Sequence, residues 1–202
     1  MAGWTRHQGL AVGLPREGID TDQLIPARFM SAPRSAGYGG FLLHDLRMDA
    51  AGRPDTDFPL NKPEAAGASI LIARRNFGGG SSREAAVYAL ADAGFRVVAA
   101  PSFGDIFGAN CVGNGLLPAR VTEAEAERLL AAAPCRLTVD LETGTIAGCG
   151  DDIAFALDPV WRLKLINGWD DIDLTAAHAE AIDAFAAARR RDAPWAWPRA
   201  AG

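Results

Sequence analysis

The chain has 202 residues, about half of them hydrophobic, enough to bury one substantial core and too few for two comfortable domains. Its formal charge of -5, with both signs scattered along the chain, lacks the basic footprint that phosphate-backbone binding requires, so no nucleic-acid partner is expected. Arg6, His7 and Gln8 precede an apolar run of only about six residues, too short for a secretory signal or a membrane span, and no membrane association is expected.

In chain order, Gly9 to Leu14 reads as a first strand, followed by a turn-rich stretch from Pro15 to Pro26 that holds Gly18, Asp20, Thr21 and Asp22. Ser31 to Pro63 shows little periodicity and reads as a long functional or mobile loop. Ala68 to Arg74 is a buried-strand run, Arg83 to Ala93 is helical and Phe95 to Ala100 is a second buried strand. This is a βαβ unit with parallel strands, and its first turn is Asn76 to Ser82. A short amphipathic helix from Phe103 to Cys111 leads into Asn114 to Pro118, with Phe103, Ile106 and Phe107 read as core. Thr122 and Glu125 form a capping box for a helix that Pro134 stops. Arg136 to Leu141, Glu142 to Gly144 and Thr145 to Ala147 read as strand, turn and strand. Asp158 starts a helix with Pro159 at its first position, and Thr175 to Arg190 reads as a long alanine-rich helix containing a surface residue, His178. The tail from Arg189 to Gly202 is expected to be loosely held, and residues 1–202 are read as a single domain.

Three cysteines, Cys111, Cys135 and Cys149, are odd in number and widely spaced, which argues against a disulfide framework and for a reducing compartment, the cytoplasm. Cys111 reads as a small buried filler. There is no CxxC or Cys/His cluster, and the only histidines are His7, His44 and His178, so no metal is assigned to this chain.

Chemistry concentrates in Gly78 to Glu84, GGGSSRE, where a strand gives way to a helix. Gly78, Gly79 and Gly80 form a candidate anion-donor loop, because glycines let another molecule approach the main chain closely. The following helix N-terminus offers unpaired N–H groups and the positive end of its dipole. Ser81 stands there as a candidate base, since main-chain donors aimed at its oxygen would stabilise the alkoxide as they stabilise an oxyanion. Ser82 and Arg83 stand beside it, and the planar fork of Arg83 suits a carboxylate. The structural alternative is a glycine-rich turn with a serine helix cap. The stretch is neither a Walker A loop, for no GK[ST] follows, nor a dinucleotide fingerprint, whose third glycine would fall on Arg83.

The segment NFGGGSSREAA resembles the NFGCGSSREHA signature of isopropylmalate dehydratase small subunits, the swivelling domain of the aconitase superfamily. Ile19 to Phe29 (IDTDQLIPARF), Ala68 to Asn76 (ASILIARRN), Pro101 to Phe107 (PSFGDIF), Asn114 to Pro118 (NGLLP) and Asn167 to Phe185 follow in that family's order, so the resemblance spans nearly the whole chain. It implies an α/β swivelling β/β/α domain with a small mixed sheet flanked by helices. It also implies a hydro-lyase that moves a hydroxyl between neighbouring carbons of a small diacid in leucine biosynthesis. Ser81 would abstract the carbon-bound proton, and Arg83 and Ser82 would hold a substrate carboxylate. A 4Fe-4S cluster would act from a large subunit in a hetero-oligomer, the present chain carrying no cofactor.

Two positions depart from the signature: Gly79 replaces the usual cysteine and Ala85 the usual histidine, which bears on support of the site and on substrate choice. Gly37 to Met48 resembles the loop that reads the substrate's variable side chain, with Leu43 and Leu46 where aromatic residues are frequent. Arg47 is a candidate for a second carboxylate or a solvated loop arginine, and His44 is the histidine nearest these segments. Asp20 and Asp22 are candidates to support the site from the first turn or to form that turn, with direct catalytic use not expected. The alternatives left open are a related hydratase acting on another substituted malate or maleate, and a non-catalytic relic of the fold.

Overall fold

The apolar run beginning at Ala68 is an inner strand of a seven-stranded mixed sheet. In the structure, a computed structural model that describes residues 2–197, the strands are β1 (Arg6–Leu14), β2 (Ala68–Ala73), β3 (Val97–Ala100), β4 (Leu117–Arg120), β5 (Cys135–Asp140), β6 (Thr145–Ala147) and β7 (Ile153–Ala154). Their order is β4-β3-β2-β1-β5-β6-β7. From β4 to β1 neighbours are parallel, with Ile70 opposite Val97 and Ala11 opposite Ile70; from β1 outward through β5, β6 and β7 they are antiparallel. The β2–β3 pair is the parallel pair expected from the sequence, and β2 and β3 are apolar nearly throughout because both faces of this half of the sheet are covered.

The helices are α1 (Thr21–Leu24), α2 (His44–Arg47), α3 (Glu84–Asp92), α4 (Asp105–Gly113), α5 (Glu123–Ala132), α6 (Pro159–Asn167), α7 (Asp171–Ala176) and α8 (Ala179–Asp192). On one face of the sheet Val12, Leu14, Leu71, Ala73 and Val98 pack with Ala86 and Leu90 of α3 and with Leu42 and Leu43. On the other, Ala11, Ile70, Ile72, Val97 and Ala99 pack with Ala126 and Leu129 of α5 and Leu165 of α6.

Several boundaries differ from the sequence reading. β1 begins three residues early, at Arg6, because Arg6 to Gly9 pair with Leu137 to Asp140 along a half-exposed stretch that has no apolar run. Pro118 lies within β4, where an outer strand tolerates its missing N–H. Ser31 to Pro63 is no bare loop: it holds α2 and 3-10 turns at Arg34–Ala36, Gly39–Phe41 and Pro59–Asn61, and buries Tyr38, Leu42, Leu43 and Phe58. Phe107 is core as expected, whereas Ile106, one residue earlier on α4, is 56% exposed.

Residues up to Gly168 form one compact unit and those from Trp169 a second. The second holds α7, started by an Asp170–Asp173 capping box, and α8, so the single long helix expected from Thr175 is broken at Ala177 and His178. The tail expected from Arg189 is helical to Asp192 and turns once more at Pro194–Ala196, with the Arg190 guanidinium 4.6 Å from the centroid of Trp197. Its last residues, 198–202, lie outside the described residues.

Candidate active site

Two neighbouring segments grip the glycine loop after β2. On one side Phe77 N–H donates to the Ser102 carbonyl (3.0 Å) and Gly104 N–H to the Phe77 carbonyl (3.0 Å). On the other, Gly78 N–H donates to the Ile19 carbonyl (2.6 Å) and Thr21 N–H to the Gly79 carbonyl (3.0 Å). Buried Thr21 also donates its hydroxyl to the Ser81 carbonyl at 2.8 Å. Asp20 caps α1, accepting from Gln23 N–H at 2.7 Å, so it serves the turn as expected and fixes the threonine beside it.

Gly78 is indispensable to this packing. Its φ is +71°, and a Cβ there would overlap the buried ring of Phe107. Gly104 is needed for close approach, since a Cβ on it would meet the Gly78 carbonyl oxygen at 2.5 Å. Gly79 has no positive φ and a Cβ would find only the Asn76 side chain near, its oxygen at 3.1 Å. The position can therefore carry a side chain, consistent with the cysteine that the resembling signature has there.

Beyond Gly79 the main-chain donors of the loop go unused. Among the described residues, the N–H groups from Gly80 to Ala85 donate to no protein acceptor, and the Ser81 and Ser82 hydroxyls make no hydrogen bond. Both serines are exposed. Helix α3 begins at Glu84 with Arg83 as its cap residue, so the serines precede the cap and neither caps the helix. Arg83 is extended, at φ −122° and ψ 104°, and its guanidinium forms an ion pair with Asp22. Nη1 of Arg83 is buried and has no aligned hydrogen-bond acceptor among the described residues. Asp22 thus ties the first turn to Arg83; no local signal joins residues 61 positions apart.

A cavity of about 220 Å³ collects these groups, lined by Thr21, Gly78 to Arg83 and Gly104 to Phe107. Exposed Ile106 lies on its rim. A larger cavity of about 410 Å³, walled by Phe103, Arg120 and Trp161, adjoins it through Gly104 and Asp105.

Arg47 is not brought to this cavity. Its Nε donates to Asn61 (2.9 Å) and its Nη1 to the Leu42 carbonyl (3.4 Å), and it lines a separate cavity with Leu42, Leu60 and Phe95. Burial lowers its pKa. Leu43 is fully buried core, and Leu46, partly buried, packs against the same cluster. His44 lies with Arg28 and Asp45. Among the described residues no group of three or more His, Cys, Asp or Glu could hold a metal. Cys111 is a buried residue of α4, and no cysteine lines the Ser81 cavity.

Residues 1–124 match the model of the aconitase C-terminal domain family. The small subunit of 3-isopropylmalate dehydratase from Shouchella clausii is 49% identical over 179 residues, 87% of this chain and 91% of that one. The chain belongs to the 3-isopropylmalate dehydratase small-subunit family. Its counterpart from Rhodospirillum centenum is 46% identical over 97% of this chain and 99% of its own. The crystal structure of the 3-isopropylmalate dehydratase leuD from Methanocaldococcus jannaschii superposes with a TM-score of 0.61 at 26% identity, covering 79% of this chain and 87% of that chain. Both the family and the mixed-sheet fold agree with the resemblance read from the motifs. Of the two departures from the resembling signature, Gly79 lies in the glycine loop and Ala85 is buried in the first turn of α3.

Proposed function

We propose that this chain is the small subunit of a cytoplasmic hydro-lyase that interconverts 2-isopropylmalate and 3-isopropylmalate by dehydration and rehydration in leucine biosynthesis. The relatives' names favour this substrate over another substituted malate. The observation that carries the reading is the exposed Ser81 beside a run of N–H groups the fold leaves unused, with Arg83 in the same small cavity.

Each group has a role that its surroundings suit. Ser81 takes the proton from the substrate carbon, and the unused N–H groups together with the α3 dipole steady the negative oxygen from which it acts. Arg83 seats a substrate carboxylate, which supplies the aligned acceptor that buried Nη1 lacks and competes with Asp22 for the guanidinium. Ser82 adds a hydroxyl to the same carboxylate. On rehydration the proton held at Ser81 returns to carbon.

The cavity of about 220 Å³ falls below the roughly 300–1,000 Å³ of complete ligand pockets, as expected of a site finished by a large subunit. That subunit is proposed to carry a 4Fe-4S cluster supplying a Lewis acid for the departing hydroxyl. The cysteines of this chain do not fit such a role, because none lines the cavity.

Ser81→Ala tests the assignment. In the reconstituted enzyme its kcat should fall by about 10²–10⁴-fold with an unchanged melting temperature. Activity equal to wild type would remove Ser81 as the base.

A further inference from the structure

Cys135 opens β5 and Cys149 stands two residues beyond the end of β6, yet their sulfurs lie 2.9 Å apart. The hairpin produces this meeting. Thr138 pairs with Ala147, and Gly148 then turns the chain back over Arg136 with φ +122°. A Cβ at Gly148 would strike the Arg136 carbonyl oxygen at 2.5 Å, so only glycine delivers Cys149 to the start of β5. The separation exceeds a disulfide bond of about 2.05 Å by less than about 1 Å. Both sulfurs belong to partly exposed residues within reach of a small reagent.

Cys111 does not compete. It is fully buried on the opposite face of the sheet, where burial pushes its thiol well up. Burial, and then the contact with Cys149, pushes the Cys135 thiol up to about 12, so Cys135 is not the thiol that attacks first.

We propose that Cys135 and Cys149 form a redox-active dithiol that a small-molecule disulfide oxidises to an intramolecular bond. The Cys149 thiolate attacks one sulfur of the oxidant, forming a mixed disulfide and expelling one thiol. Cys135 then attacks the Cys149 sulfur, loses its proton to solvent and expels the second thiol. Two cysteine thiols are oxidised and one external disulfide is reduced to two thiols. The bond would staple the β5–β6 hairpin on the α5 side of the sheet, away from α3, so it leaves Ser81 in place and stands independently of the catalytic reading.

The test equilibrates the full chain in glutathione buffers of rising oxidising strength, followed by acid quench, denaturing alkylation and intact-mass measurement. The reduced chain should take three alkyl groups and the oxidised chain one, without a glutathione adduct and reversibly with dithiothreitol. Closing this loop should raise the melting temperature by roughly 5–10 °C. Cys111→Ser should still lose two reactive thiols, while Cys135→Ser and Cys149→Ser should each form no internal bond. Three thiols that stay reactive under oxidising conditions, a stable glutathione adduct on the wild-type chain, or disulfide-linked dimers in its place would overturn the proposal.

Discussion

The glycine loop from Asn76 to Arg83 and the long segment from Ser31 to Pro63 are both rich in turn-forming residues, yet they spend their polar groups in opposite ways. In the long segment the polar groups bond one another. Asn61 donates to the Arg47 carbonyl (2.7 Å) and the Asp55 carbonyl (2.8 Å) and accepts from Arg47 Nε, while Asp49 gathers the N–H groups of Ala51 and Arg53. Arg34 and the Tyr38 N–H both bind Asp92 at the end of α3. In the glycine loop the first half is gripped from both sides, and the main-chain N–H groups of the second half donate to nothing among the described residues. Density of polar residues therefore does not mark the site. Donors held rigidly and left unused do.

Gly78→Ala attacks the gripped half directly. A Cβ against Phe107 combined with a positive φ should cost about 3 kcal/mol or more in urea denaturation. A loss well under about 1 kcal/mol would mean that the loop yields readily and that its donors are not rigidly held.

Arg47→Ala probes the other region with a smaller effect. Leaving Asn61 without its donor should cost about 1–3 kcal/mol of stability. Turnover per folded enzyme should stay within about threefold of wild type. A rise in KM far beyond that would restore Arg47 as a substrate ligand and blur the distinction between the regions.

The smallest effect is a pH dependence. Burial would raise the Asp92 carboxyl, but the Arg34 hydrogen bonds, the Tyr38 N–H and the Arg34 charge outweigh it and hold the group below its usual 3.8. The unfolded chain then takes up the proton first as pH falls. The stabilisation is complete above 3.8 and is lost as pH drops through the lower folded value. For this partly exposed pair the contribution is under about 1 kcal/mol. Asp92→Asn should flatten the stability profile between about pH 5 and 3, and an unchanged slope would show that the tie to α3 carries no weight.

What the sequence disclosed was mostly local. The apolar run of β2, the Thr122–Glu125 capping box and Pro159 at the first turn of α6 each announce themselves within a few residues, and each forms as read. The serine–arginine cluster was visible for the same reason. Pairings between distant residues were hidden: Arg83 with Asp22, the Thr21 hydroxyl with Ser81, and two cysteines whose separation in sequence argued against a bond. The β1–β5 pairing lengthens β1 through residues with no strand pattern of their own. Ile106 was misplaced because its apolar character suited the core while its position on α4 turns it to the cavity rim.

Thr21 clasps the Ser81 carbonyl from sixty residues upstream, which makes the two segments a single inherited unit. A chimaera spliced from two relatives between these positions would inherit each half of that clasp from a different parent. Such hybrids should stay active when the parents' clasps are interchangeable and fall silent, though folded, when they are not.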